Sequence, residues 1–256
     1  MSDISGRIAQ QKDLEQISVF EAELAVQTAW RNETKKYKTL LGHLSSAEKF
    51  QTPLILYVAA VTFAESSPIK AVNLLVKASI LQQLQKSKKL DIEPYEIAGQ
   101  AAQLAYNLFI QDPGHRSLAL EAFDNYSTIA NEKMDAKLQY IYSIILQRDG
   151  QAEKSKKILQ KLAQKSSGYW SSRAKLDLIK QTIEQIQEES QTIPNELFIE
   201  LKNLISECSE QDKESNQLRI EATTIYCELL LESKEKGSAQ KVLNILAEAE
   251  TTHNPN

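Results

Sequence analysis

The stretch from 136 to 165 most constrains how this chain can fold, because a single glycine, Gly150, separates two short apolar stripes. Apolar residues recur every three or four positions on both sides of Gly150, which is the spacing of one face of an α-helix. They are Leu138, Tyr142, Ile145 and Leu146 before the glycine and Ile158, Leu159 and Leu162 after it. Neither half can bury its stripe alone. The stretch therefore predicts two helices folded against each other, with the chain reversing at Gly150.

Composition extends the helical prediction to the rest of the chain. The 256 residues include only seven Gly and six Pro, and the chain is rich in Leu, Ile, Ala, Gln, Glu and Lys. These residues favour long helices over strands. No series of alternating β-branched or aromatic residues stands between closely spaced turn signals. An all-α protein is therefore predicted.

Prolines and glycines divide residues 53–250 into roughly five helical hairpins. Pro53 and Pro68 fit the first turn of a helix, and Asp112-Pro113-Gly114 is one of the clearest breaks. The same loose arrangement returns in several stretches, which predicts one continuous domain of stacked hairpins.

The two ends of the chain differ from this middle region. Within residues 1–52, the stretches 7–31 and 33–50 have amphipathic helical spacing but no clean repeat. An N-terminal helical cap, or an extension that joins copies of the chain, is expected there. Residues 251–256 are predicted to form a disordered tail.

Small residues twelve positions apart mark the predicted helix crossings. The pairs are Ala59 with Ala71, Ser143 with Ser155, and Cys227 with Ala239, each followed four positions later by a leucine, at Leu75, Leu159 and Leu243. Small side chains let two helix backbones approach closely without leaving voids. In these positions residues 53–250 resemble degenerate tetratricopeptide repeats. The resemblance implies a right-handed α-solenoid of stacked antiparallel helical hairpins.

Proteins of that family typically bind peptides or partner domains in a concave groove lined by the first helix of each hairpin. The resemblance implies a first hairpin lined by Leu56, Ala60 and Phe63, a central hairpin lined by Lys137, Tyr140, Ile144, Gln147 and Arg148, and a last hairpin lined by Glu221, Thr224, Glu228, Leu231 and Glu232. Such a groove changes from apolar to basic to acidic, which suits a protein or peptide partner with an acidic segment. The alternative is that Lys137 and Arg148 are ordinary solvated side chains.

Charge is unevenly distributed along the chain. Residues 133–180 contain eleven Lys and Arg against four Asp and Glu, and 181–256 contain six against fifteen, although the whole chain carries only −4. Aromatic residues within the basic region, such as Tyr140 and Trp170, could stack on single-stranded nucleic acid. The chain lacks the overall basic excess that such binding needs, so a nucleic-acid partner is not expected.

No constellation of residues predicts catalysis, a metal site or a cofactor. The three histidines, His43, His115 and His253, are scattered and have no metal-binding spacing. Cys208 and Cys227 stand 19 residues apart without a CxxC motif and are expected to be buried packing cysteines. Ser172 and Lys175 match a serine–lysine motif only by chance, since its companion elements are missing. The chain is predicted not to be an enzyme.

These features together predict a cytoplasmic scaffold or adaptor. No secretion signal is visible at the N-terminus, and the longest mostly apolar run, 54–64, is too short to span a bilayer. Two alternatives stay open. One is a structural subunit of a homo-oligomeric or multiprotein assembly, and the other is a helical appendage of a larger enzyme.

Overall fold

The computed structural model describes residues 52–85, 90, 92–165, 168–208, 212–233 and 237–253. In this part of the chain the secondary structure is ten α-helices and two short 3₁₀ turns, with no strand, which confirms the all-α prediction. The helices are α1 Pro53–Phe63, α2 Pro68–Gln85, α3 Pro94–Gln111, α4 Arg116–Ala130, α5 Ala136–Arg148, α6 Ala152–Ala163, α7 Tyr169–Glu188, α8 Asn195–Glu207, α9 Lys213–Glu232 and α10 Ser238–His253. The helices predicted over 7–31 and 33–50 lie outside the described residues.

Helix boundaries follow from local side-chain chemistry. Proline occupies the first turn of α1 and α3, where its missing N–H leaves no hydrogen bond unmade. Asp135 precedes α5 and accepts a hydrogen bond from the Leu138 backbone N–H at 3.0 Å. Gly150 has φ of +79° between α5 and α6, a left-handed conformation that residues with a Cβ adopt only with strain. The predicted interruption of the helix at Gly150 is therefore confirmed.

The described chain divides into two compact units, with the boundary between Gly150 and Gln151. In the first unit α1 packs against α2, α2 against α3, α3 against α4 and α4 against α5. In addition, α2 packs against α4, and α3 packs against α5. Four alanines of α3 are completely buried, which lets its neighbours approach its backbone closely. They are Ala98, Ala101, Ala102 and Ala105.

Helix α1 is apolar around its whole circumference, so it is a core helix. Leu56 and Ala60 are fully buried within a cluster that also contains Leu74 and Leu75 of α2. The prediction that Leu56 and Ala60 line an open groove is therefore wrong. The third predicted residue, Phe63, is half-buried, and the Lys70 ammonium lies 4.7 Å from its ring centroid.

The second unit contains α6 to α10. Each helix again packs against the next, and α7 also packs against α9. Its core is built mainly from leucines of α8 and α9, and it includes both cysteines. Cys208 and Cys227 are free thiols, and burial raises the pKa of each. They are the buried packing cysteines that the sequence predicts.

The three predicted helix crossings have different outcomes. Ala59 and Ala71 are both fully buried, on the neighbouring helices α1 and α2. Ser143 and Ser155 are both buried but lie in different units, so the central hairpin stays a prediction. Ala239 is exposed, which contradicts the third crossing.

In α10 the buried face lies one position before the predicted one. Ser238 and Val242 are buried, whereas Leu243 is 60% exposed. A shift of one residue turns a helix by about 100°, which is enough to move a side chain from the core to solvent.

Candidate partner-binding surfaces

The residues predicted to line the last hairpin share one face of α9. They recur every three or four residues along about three helical turns, so their side chains project from the same side of the helix. Thr224, Glu228 and Glu232 are exposed, Leu231 is 52% exposed, and Glu221 is half-buried. This face of α9 therefore presents a row of side chains of which three are carboxylates.

Helix α7 supplies cations to one of these carboxylates. Arg173 Nη1 lies 2.5 Å from Glu221 Oε2, and Lys180 Nζ donates a hydrogen bond to Glu221 Oε1. Arg173 Nη2 also lies 3.3 Å from Asp177 Oδ1, one turn along α7. Further along the helices, Gln187 Nε2 of α7 donates to Glu232 Oε2 of α9 at 3.4 Å. The predicted groove residues Glu221 and Glu232 thus hold α9 to α7.

The two cations change the titration of Glu221. Burial opposes ionisation of the carboxyl group, but the Lys180 hydrogen bond and the Arg173 charge outweigh it and hold the pKa of Glu221 below its ordinary value. Glu221 is therefore ionised at neutral pH. Because its charge is balanced by Arg173 and Lys180, it adds less negative potential to this face of α9 than the sequence predicts.

Replacing Glu221 with glutamine is expected to make the second unit less stable at neutral pH by about 1 kcal/mol. A lowered pKa stabilises the fold above the carboxyl group's ordinary value of 4.5, and this contribution is lost as the pH falls through the lower folded value. The difference between the wild type and Glu221→Gln should therefore shrink at about pH 3. Urea unfolding at both pH values measures it, and an equal difference at both would contradict the ion-pair assignment.

The residues predicted to line the central hairpin lie on one face of α5. Lys137, Gln147 and Arg148 are exposed, and Tyr140 and Ile144 are half-buried. The Arg148 guanidinium lies 5.9 Å from the centroid of the Phe109 ring of α3, within the range of a cation–π contact. The neighbouring acid Asp149 forms an ion pair with Arg116 at 3.8 Å. Arg148 of α5 is thus in contact with an aromatic side chain of α3.

A concave surface in the second unit, which we call the α6–α8 groove, was not predicted from the sequence. It has a volume of ≈ 600 Å³ and is formed by α6, α7 and α8. Its lining combines amide, hydroxyl, charged and apolar side chains: Gln160, Ala163, Gln164, Lys175, Leu178, Ile179, Thr182, Glu200, Asn203, Leu204 and Glu207. The volume is in the ordinary range for a binding cleft. One sequence signal was available, because Glu196, Glu200, Asn203 and Glu207 recur at helical spacing.

The described residues contain no cluster of three or more His, Cys, Asp or Glu side chains that could hold a metal ion. Within the same residues, no helix has both the length and the apolar character needed to cross a bilayer.

His115 lies beside Asp112, with 3.9 Å between Nε2 and Oδ2, in the turn before α4.

Comparison with known proteins adds no family assignment. No protein-family model matches the chain, and neither the curated proteins nor the solved structures include a match to it. The resemblance to tetratricopeptide repeats therefore stays a prediction, based on the residues described above.

Proposed function

We propose that this chain is a helical-repeat scaffold that binds a partner protein or peptide and catalyses no reaction itself. In this proposal the helices form antiparallel hairpins stacked as a right-handed solenoid. The first helices of successive hairpins line a binding surface within each unit, α3 with α5 in the first and α7 with α9 in the second.

The observation that carries the proposal is the packing of second-neighbour helices within each unit. In hairpin stacks the first helix of one hairpin contacts both its own partner helix and the first helix of the next hairpin. Both contacts occur for α3, which packs against α4 and α5 in the first unit, and for α7, which packs against α8 and α9 in the second. The contact of Arg148 with Phe109 joins α5 to α3, and the contact of Glu221 with Arg173 joins α9 to α7. Arg148 and Glu221 are residues of the predicted groove.

The exposed charges of this surface would select the partner. Lys137 and Arg148 on α5 favour an acidic segment, because complementary charges steer association and disfavour wrong partners. A groove formed in advance by packed helices also lowers the entropic cost of binding.

Affinity purification with mass spectrometry tests this function. The double variant Lys137→Glu/Arg148→Glu is expected to lose partners that the wild-type chain retains. The matched control is Lys154→Glu/Lys157→Glu, which makes the same charge change at exposed positions of α6 that lie outside the predicted groove. Circular dichroism would verify that each variant keeps its helical content. Identical partner sets for the two double variants would overturn the proposal.

A further inference from the structure

Helix α2 exposes a row of apolar side chains, which we call the α2 apolar face. Ile69, Ile80 and Leu84 are 45%, 41% and 74% exposed, and among the residues that the structure describes no other helix exposes as many large apolar side chains. The exposed Asn73 and the half-buried Val76 lie between Ile69 and Ile80 on the same side of the helix. The row is about 22 Å long. A continuous row of this kind marks an interaction surface, whereas single exposed apolar residues do not.

The core-facing side of α2 is a different one. Ala71, Leu74, Leu75 and Ala78 are at most 5% exposed, and α1, α3 and α4 all pack against α2. The α2 apolar face therefore remains accessible after these three helices have packed.

The surroundings of the α2 apolar face are basic. Lys70 and Lys77 stand one helical turn before and after Asn73, along one edge of the face. Residues 66–90 contain five Lys and no Asp or Glu, and α1 contains no charged residue. An apolar row beside a basic edge suits an amphipathic helix that carries acidic residues.

The chain itself contains such a segment, outside the described residues. Residues 13–30 contain four Asp and Glu and no Lys or Arg. Apolar residues recur in this segment at three- and four-residue steps, which predicts a helix with one apolar stripe. They are Leu14, Ile17, Phe20 and Leu24. A helix over these 18 residues would be about 27 Å long, close to the length of the α2 apolar face.

The other amphipathic segment before α1 has the wrong charge. Residues 33–50 contain four Lys and two Glu, so repulsion from the lysines of α2 disfavours them as the occupant. Residues 31–51 instead join the acidic segment to α1, which packs against α2. A connection of this length reaches α2 easily, and it raises the local concentration of the acidic segment to the order of millimolar.

We propose that residues 13–30 of this chain form an acidic amphipathic helix that docks on the α2 apolar face. The apolar stripe of the segment covers Ile69, Ile80 and Leu84, and its carboxylates lie beside Lys70 and Lys77. This docking goes beyond the proposed function, because it involves neither the α5 surface nor the α9 surface.

Photo-cross-linking of the full chain tests the docking. With p-benzoylphenylalanine in place of Leu84, we expect a cross-link to residues 13–30 within a monomer, which mass spectrometry of the digested monomer identifies. The control position is Ile199 of α8, which is 54% exposed in the second unit and should give a much weaker cross-link to the same residues.

Each other result would overturn the proposal and indicate a different occupant. A cross-link from position 84 to residues 33–50 would indicate the basic segment, and a cross-linked dimer would indicate a second copy of the chain. No cross-link within the chain, or equal cross-links from positions 84 and 199, would leave the α2 apolar face to an outside partner.

Charge variants of the segment test why it docks. Glu21→Lys/Glu23→Lys should lower the yield of the cross-link from position 84 about threefold, because attraction to the lysines of α2 becomes repulsion. Lys77→Glu should restore part of the yield in this variant. Lys77 is chosen because the Lys70 ammonium also lies over the Phe63 ring. An unchanged yield in Glu21→Lys/Glu23→Lys would contradict the proposal.

Two further variants separate the docking from a net-charge effect and from the proposed function. Glu33→Lys/Glu48→Lys makes the same charge change in the segment 33–50 and should leave the yield unchanged. Lys137→Glu/Arg148→Glu, which removes the basic surface of α5, should also leave it unchanged. A loss in the first variant equal to that of Glu21→Lys/Glu23→Lys would show only a net-charge effect, and a loss in the second would place the acidic segment on α5. Either result would overturn the proposal.

Discussion

Replacing Phe123 with alanine is expected to lower the free energy of unfolding by about 3–5 kcal/mol, the largest effect of any substitution considered. Phe123 lies on α4 with no exposed surface, and its ring stacks on Tyr142 of α5 with 5.5 Å between centroids. The Tyr142 hydroxyl in turn donates a hydrogen bond to Asp124 of α4. Removing the Phe123 ring leaves a cavity at the point where α4 and α5 are joined.

Urea unfolding followed by circular dichroism measures this effect, and Phe123→Leu is the matched control. Leucine keeps most of the buried apolar volume, so its cost should be clearly smaller than that of alanine. A loss below about 1 kcal/mol for Phe123→Ala would show that the ring is not in a close-packed core.

Replacing Ala59 with leucine is expected to destabilise the chain by about 1–3 kcal/mol. Ala59 is fully buried on α1, in the same apolar cluster as Leu74, Leu75 and Ala78 of α2. A larger side chain there would force α1 and α2 apart.

The same change at Ala239 of α10 provides the control for Ala59→Leu. Ala239 is exposed, so Ala239→Leu should alter the free energy of unfolding by no more than about 0.5 kcal/mol. The sequence pattern treats the two alanines as equivalent, and the structure does not. Equal costs in thermal or urea unfolding would show that Ala239 packs at a crossing after all.

Local signals made the helices predictable. Pro53 and Pro68 stand in the first turns of α1 and α2, and Gly150 supplies the left-handed conformation between α5 and α6. Each of these effects acts within a few residues of the chain, so a single sequence contains the information.

Contacts between distant residues were not predictable in the same way. Arg173 and Glu221 are 48 residues apart, and Lys180 and Glu221 are 41 apart. The sequence has 30 Lys and Arg and 34 Asp and Glu, so charge alone does not select one pair among so many combinations. The α6–α8 groove escaped prediction for the same reason, since its residues come from three helices.

The sequence by itself determined that the described part of the chain is helical and where several of its helices begin or end, because backbone preferences, caps and turns depend on near neighbours. Only the tertiary structure decided which side of each helix is buried. Leu56 lies in the core, in the same cluster as Leu74 and Leu75 of α2, and on α10 the buried side chain is Val242 and not Leu243. That choice depends on the helices that pack against each face, and it also decides which charged side chains remain available to a partner.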